Sequence, residues 1–184
     1  MKTEIDLYLI IFLSGILIVA AVNDLLFQKI PNLLVYPAMA VALGYHFVMN
    51  GLDGLLFSTG GLALGIAVLI LPYMMGGMGA GDAKLMGAVG AILGIRGVFI
   101  AFLFTAIAGG IYALILLLVR HQAFKGFWQR HAATLKTFIF TGQFIPIPGD
   151  SNERKPKLCY GIVIAIGTLF SVFLEFSGYY TFPI

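Results

Sequence analysis

Of the eight carboxylates in this 184-residue sequence, two stand where a charge is costly. Asp24 lies at the end of the apolar run 7–23, and Asp82 immediately precedes a second apolar run that opens at residue 83. An ionisable group at the margin of an apolar helix is unfavourable unless it faces protein or water, which makes each a functional candidate. Two carboxylates brought together share a proton and titrate as a pair. One can then act as general base on a water, while the other, protonated, polarises a carbonyl and assists the leaving amine. That is the chemistry of aspartyl peptide hydrolysis, and nothing in the sequence says which of Asp24 and Asp82 takes which role. Singly, either has a simpler account: Asp24 as a helix-end carboxylate reaching water, Asp82 as a helix cap. The other six carboxylates need no chemistry. Glu4 and Asp6 precede the first apolar run, Asp53 sits in the turn Asn50-Gly51-Leu52-Asp53-Gly54, Asp150 and Glu153 lie in a polar stretch, and Glu175 can reach an interface.

The residues ahead of Asp82 add a second signal. Gly76-Gly77-Met78-Gly79-Ala80-Gly81 leaves the main chain open to close approach, and an extended substrate strand could hydrogen-bond to such backbone. Gly79 and Gly81 are therefore candidate substrate-binding positions. Lys84, two residues beyond Asp82, is a third candidate, for pairing with a substrate carboxylate or tuning the dyad. A flexible turn, or close packing through Gly77 and Gly81, explains the same glycines without chemistry. A phosphate cradle does not, because GxxxxGK[ST] is absent and Asp82 would repel phosphate.

Other catalytic classes lack their residues. A lone Cys159 offers no CxxC zinc pair, and His46, His121 and His131 form no HExxH. There is no GxSxG. No metal and no organic cofactor is expected. A net charge of +3 is too small to argue for nucleic acid.

The elements that must position these residues are membrane helices. The composition is 60% hydrophobic and 10% charged, with a mean hydropathy of +1.01. Soluble domains are about half apolar and a quarter charged, and a chain of this size cannot hide so much apolar surface within itself. An all-α, polytopic bundle is expected, forming a single membrane domain over 1–184 with about six transmembrane helices. These run near 7–23, 33–49, 55–75, 83–95, 98–119 and 158–177. The fourth and fifth have almost no loop between them at Arg96-Gly97 and could instead form a partly inserted helical hairpin. The first run is long for a cleaved signal and is flanked by Glu4 and Asp6, so it reads as a retained helix.

With loops on alternating sides, Lys29, Lys84, Arg120, Lys125, Arg130, Lys136, Arg154, Lys155 and Lys157 share one face, leaving Lys2 and Arg96 on the other. The positive-inside rule puts the first set in the cytoplasm, both termini outside, and Asp24 and Asp82 together at the cytoplasmic face of the inner (plasma) membrane. Within the cytoplasmic loop 120–157, Phe124, Phe127, Trp128, Ala132, Leu135, Phe138 and Ile139 recur at helical spacing. That pattern suits an amphipathic helix on the anionic leaflet or a cap packed on the bundle.

At this point a resemblance becomes specific. Gly77-Met78-Gly79-Ala80-Gly81-Asp82-Ala83-Lys84-Leu85-Met86 resembles the signature of the type IV prepilin peptidases, within the GxGD group of membrane aspartyl proteases. Asn23-Asp24 ahead of Ile30-Pro31-Asn32 is similar to the family's first catalytic block. Lys157-Leu158-Cys159-Tyr160-Gly161 is similar to a third block, with Cys159 where proline usually precedes the aromatic residue. The resemblance implies that Asp24 and Asp82 are the catalytic pair, that the partners are a prepilin-like substrate and the lipid bilayer, and that cutting occurs at the cytoplasmic face. The paired-cysteine insertion of the bifunctional members is absent. The chain therefore resembles the short, peptidase-only form of Flp (tight-adherence) pilus or archaeal preflagellin systems, and methylation is not expected. A second class stands beside it: a small proton- or ion-coupled transporter or channel using Asp24 and Asp82 as relay carboxylates. Neither the identity of the pilin nor the oligomeric state is legible.

Overall fold

A computed structural model describes residues 7–74, 78–119 and 159–177, which form four helices: α1 (Leu7–Phe27), α2 (Asn32–Met74), α3 (Ala80–Val119) and α4 (Tyr160–Phe176). No strand occurs among the described residues. The expected amphipathic segment and returning loop of 120–157 lie outside them, as do Gly76 and Gly77. The chain divides into two compact units, Met1–Gly109 with Leu158–Ile184, and Gly110–Lys157. Of the second unit only helical residues 110–119 are described, and the packing and the site described below lie in the first. Helices α1, α2 and residues 80–116 of α3 are long and apolar enough to cross a membrane, and α4 is a shorter apolar helix.

Two of these helices are too long to be single rods across a bilayer. The 43 residues of α2 would extend about 64 Å at 1.5 Å per residue, twice the roughly 30 Å of a hydrocarbon core. Instead α2 breaks at Gly51 (φ 59°, ψ −137°) and α3 at Gly94 (φ 71°, ψ −176°). Both conformations lie at positive φ, which a side chain disfavours and glycine tolerates. At the first break the chain doubles back, so that a Cβ on Gly54 would strike the His46 carbonyl. In a continuous helix those residues would be two turns apart. At the second break the sequence suggests Arg96-Gly97 as the boundary. The break comes earlier because Gly94, held against the ring of Phe57, adopts the positive φ.

The second arm of α2 packs antiparallel on the first arm of α3 through glycine. A Cβ on Gly61 would meet the Gly90 carbonyl, a Cβ on Gly90 would meet that of Gly61, and one on Gly65 would meet that of Met86. Lipid gives no hydrophobic reward for joining two apolar helices, so close backbone approach through small residues supplies the van der Waals contact instead. Polar side chains here are satisfied by carbonyls near the Gly94 break. Ser58 Oγ donates to Ala91 O at 2.7 Å, and His46 Nε2 donates to Ile92 O at 3.2 Å. Carbonyls that precede a helix break lose regular intrahelical donors, and Ala91 and Ile92 are fully buried, so neighbouring side chains supply the hydrogens. The ring of His46 also lies against Phe57, with centroids 5.0 Å apart.

The remaining core is apolar. Leu13, Leu17, Val35, Leu85, Met86, Val89, Ile92 and Ile164 are all fully buried. Helix α4 packs on α1, and its Gly167 abuts the backbone of Thr105 in the second arm of α3.

Candidate active site

Each aspartate occupies a helix end whose geometry follows from local sequence. Helix α1 extends past the expected boundary at residue 23 to Phe27, so Asp24 lies within its last turn. The helix stops because Gln28 adopts a left-handed conformation (φ 51°), its N–H donating to Asp24 O at 2.9 Å. This is the single-bond αL cap, with glutamine where glycine is usual. Four residues, 28–31, then lead to Asn32 and α2.

Asp82 lies in the first turn of α3, which opens at Ala80 instead of 83. Its Oδ2 accepts the Gly79 N–H at 2.8 Å, while its own N–H donates to Gly79 O at 3.1 Å. The third helical residue reaching back to the capping residue's amide is half of a capping box. The helical end reading of Asp82 and a catalytic reading are thus compatible: one carboxylate oxygen is spent on the cap.

The other end of the pair is built by α4. Asp24 Oδ2 accepts the Gly161 N–H at 2.8 Å, across 137 residues of chain. An N-terminal helix amide has no intrahelical acceptor, and its partial positive charge suits a carboxylate. The fit depends on glycine, since a Cβ at 161 would lie 2.9 Å from that oxygen and 3.0 Å from Asp24 Cβ. Each carboxylate therefore has an Oδ2 oriented by a backbone amide at a helix N-terminus.

Asp24 and Asp82 are both buried, each 6% exposed, and both lie at the end of the bundle away from the Gly51 and Gly94 breaks. The charge of Asp24 reaches Asp82. Cys159, just before α4, senses both: burial pushes its thiol up, and the negative charges of Asp24 and then Asp82 push it further. The tertiary structure thus gathers two carboxylates and a thiol from three helices into one electrostatic neighbourhood. No group of three or more His, Cys, Asp and Glu suited to a metal ion occurs among the described residues.

The other candidates are placed differently. Gly79 and Ala80 are exposed, leaving the approach to Asp82 open along the main chain. Gly81 is half-buried against Ile30, whose Cβ lies 3.1 Å from where a Gly81 Cβ would stand. Lys84 is already engaged. Its Nζ donates to Asn32 Oδ1 at 3.0 Å and lies 5.0 Å from the centroid of Tyr36. Sequence reasoning did not single out Gly161 as the partner of Asp24, nor Asn32 and Tyr36 as holders of Lys84. The signal for Gly161 was its place in the third block, but a backbone amide leaves no trace in residue type.

The chain is 30% identical over 112 residues to the prepilin leader peptidase/N-methyltransferase of Bacillus subtilis (strain 168), covering 59% of this chain and 44% of that relative. The chain thus spans less than half the length of the relative it matches. No solved structure matches it. The sequence model of the type IV leader peptidase family matches residues 11–114, a span that contains Asp24, Gly79, Gly81, Asp82 and Lys84. By that match, over more than half its length, the chain belongs to the type IV leader peptidase family.

Proposed function

We propose that this protein is an intramembrane aspartyl endopeptidase that removes the leader from prepilin-like substrates, with Asp24 and Asp82 as its catalytic pair. The observation that carries this reading is a pair of buried carboxylates near enough for the charge of Asp24 to reach Asp82, each oriented through a single oxygen by a helix N-terminal amide. Such a pair can share a proton and activate a water between its members. The fixed amides hold the carboxylates before substrate arrives, so little reorganisation is needed at the moment of reaction.

In this reading the exposed backbone at Gly79 and the neighbouring Gly81 receive the extended segment around the scissile bond. The breaks at Gly51 and Gly94 turn α2 and α3 into helical pairs, making six spans with α1 and α4. The nine basic residues on one face then put the pair at the cytoplasmic side of the inner membrane, where a leader preceding a hydrophobic helix would be presented. The activity is peptidase without methyltransferase, on the absence of a cysteine-paired insertion.

The test uses membranes containing the full chain and a prepilin-type substrate with a basic leader and an apolar helix. Asp24→Asn and Asp82→Asn each preserve shape and remove the ionisable oxygen. Each is expected to abolish leader removal while the protein still accumulates in the membrane. Cleavage by both variants at the wild-type rate would exclude the pair. Proton flux that depends on either aspartate, without cleavage by the wild type, would establish the transporter reading instead.

A further inference from the structure

Asp24 and Asp82 arrive on different helices, so their relative position must be set by whatever joins those helix ends. Covalently they are remote, with the whole of α2 between them. Spatially the path is short. Asp24 O is the acceptor of the left-handed Gln28 cap, which starts the four-residue loop to α2. Ile30 of this loop rests on Gly81, the residue before Asp82. Asn32, where the loop becomes helix, accepts a hydrogen bond from Lys84, two residues after Asp82. The loop that leaves the Asp24 helix is thus fastened to the Asp82 turn at two points that bracket Asp82 in sequence.

Lys84 is suited to fastening. Its ammonium is held at 3.0 Å by an amide oxygen and sits over the face of Tyr36, two partners supplied by the first turns of one helix. Residues two apart on a helix do not share a face, so Lys84 reaches α2 while Asp82 keeps its own orientation. We infer that Lys84 and Asn32 form a clasp that sets the spacing of the two carboxylates, making Lys84 a positioning residue and not a ligand for substrate. This deepens the proposed function and, for its kinetic consequences, rests on it.

The kinetic test compares Lys84→Met, Asn32→Ala and the double variant, with Lys84→Arg as the conservative replacement. Because misplacement by about 1 Å can cost about a hundredfold in rate, each single variant should lower kcat by about tenfold or more with little change in KM. The double variant should be no slower than the worse single one, and Lys84→Arg should restore part of the rate. A rise in KM at unchanged kcat for Lys84→Met would make Lys84 a substrate ligand and overturn the clasp. Losses that multiply in the double variant would also overturn it, because the two residues would then act independently.

A second measurement does not depend on catalysis. In a Cys159→Ser background, spin labels at Leu26→Cys on α1 and Ala80→Cys at the start of α3 report the spacing of the two helix ends. The clasp requires a narrow distance distribution that broadens in Lys84→Met. An unchanged distribution would refute the clasp. Broadening in a protein that cuts no prepilin-type substrate would uphold the clasp and refute the peptidase reading.

Discussion

The two ends of the described bundle solve the same problem with opposite chemistry. At the end formed by the Gly51 and Gly94 breaks, backbone carbonyls need donors, and the side chains of His46 and Ser58 provide them. At the other end, backbone amides at the starts of α3 and α4 need acceptors, and the carboxylates of Asp82 and Asp24 provide those. The first arrangement lies beside a tightly packed glycine contact and leaves nothing over for reaction. The second gathers two acidic groups beside exposed backbone at Gly79 and Ala80. Helix polarity thus separates a closing end from a chemical end: helix C-termini present negative partial charge, and N-termini present the positive charge that can hold a carboxylate.

The comparison is broken most directly at the chemical end. Gly161→Ala puts a methyl group into the space of Asp24 Oδ2, so the carboxylate must move while the rest of α4 is undisturbed. With Asp24 in the proposed catalytic pair, leader removal should fall by about a hundredfold, the loss expected when a reacting group is displaced. Membrane levels and the melting temperature should change little. Equal activity in wild type and variant would mean that the Asp24–Gly161 contact does not matter for reaction.

At the closing end, stability should respond instead of chemistry. His46→Leu leaves the Ile92 carbonyl without its side-chain donor and should cost about 1–3 kcal/mol. Thermal or denaturant unfolding in detergent measures this, and KM should be unaffected. Gly94→Ala should be worse than Gly51→Ala, because both force positive φ on alanine but only the first also drives a Cβ into the Phe57 ring.

Cys159 sharpens the chemical end by reporting its charge. Removing either carboxylate's charge should lower the thiol's pKa, since Asp24 and Asp82 both push it up. At a fixed neutral pH more thiolate forms, so Asp24→Asn and Asp82→Asn should label faster than wild type with a small maleimide. Asp24→Asn should show the larger change, as Asp24 is the stronger of the two charge effects.

The smallest effect is expected away from both ends. The hydroxyls of Thr105 and Thr168 are buried with no hydrogen-bond partner among the described residues. Thr168→Val removes a polar atom that makes no bond and keeps the shape, so it should be neutral or slightly stabilising by the same unfolding measurement.

Much of this was legible in residue types. Apolar runs marked the helical regions because burial in lipid demands them, and Asp24 and Asp82 drew attention as charges at the margins of such runs. Helix ends were less legible. The αL cap at Gln28 carries α1 past Asp24, and the half capping box at Asp82 starts α3 earlier, because both ends are set by backbone bonds that composition does not reveal. Lys84 shows the same limit: in the sequence it is a candidate for pairing with a substrate carboxylate or tuning the dyad, and its engagement by Asn32 and Tyr36 depends on which helix start the fold puts beside it.

By itself the sequence determined that the chain is helical and apolar, that it carries the Gly79-Ala80-Gly81-Asp82 signature, and that two of its carboxylates are costly where they stand. Those properties depend on local composition, which acts through solvation. Only the tertiary structure decided that α2 and α3 break at Gly51 and Gly94, that Gly161 orients Asp24, and that Asp24, Asp82 and Cys159 share one electrostatic neighbourhood. These depend on contacts between distant residues, where a missing side chain or a bare amide matters as much as any charge.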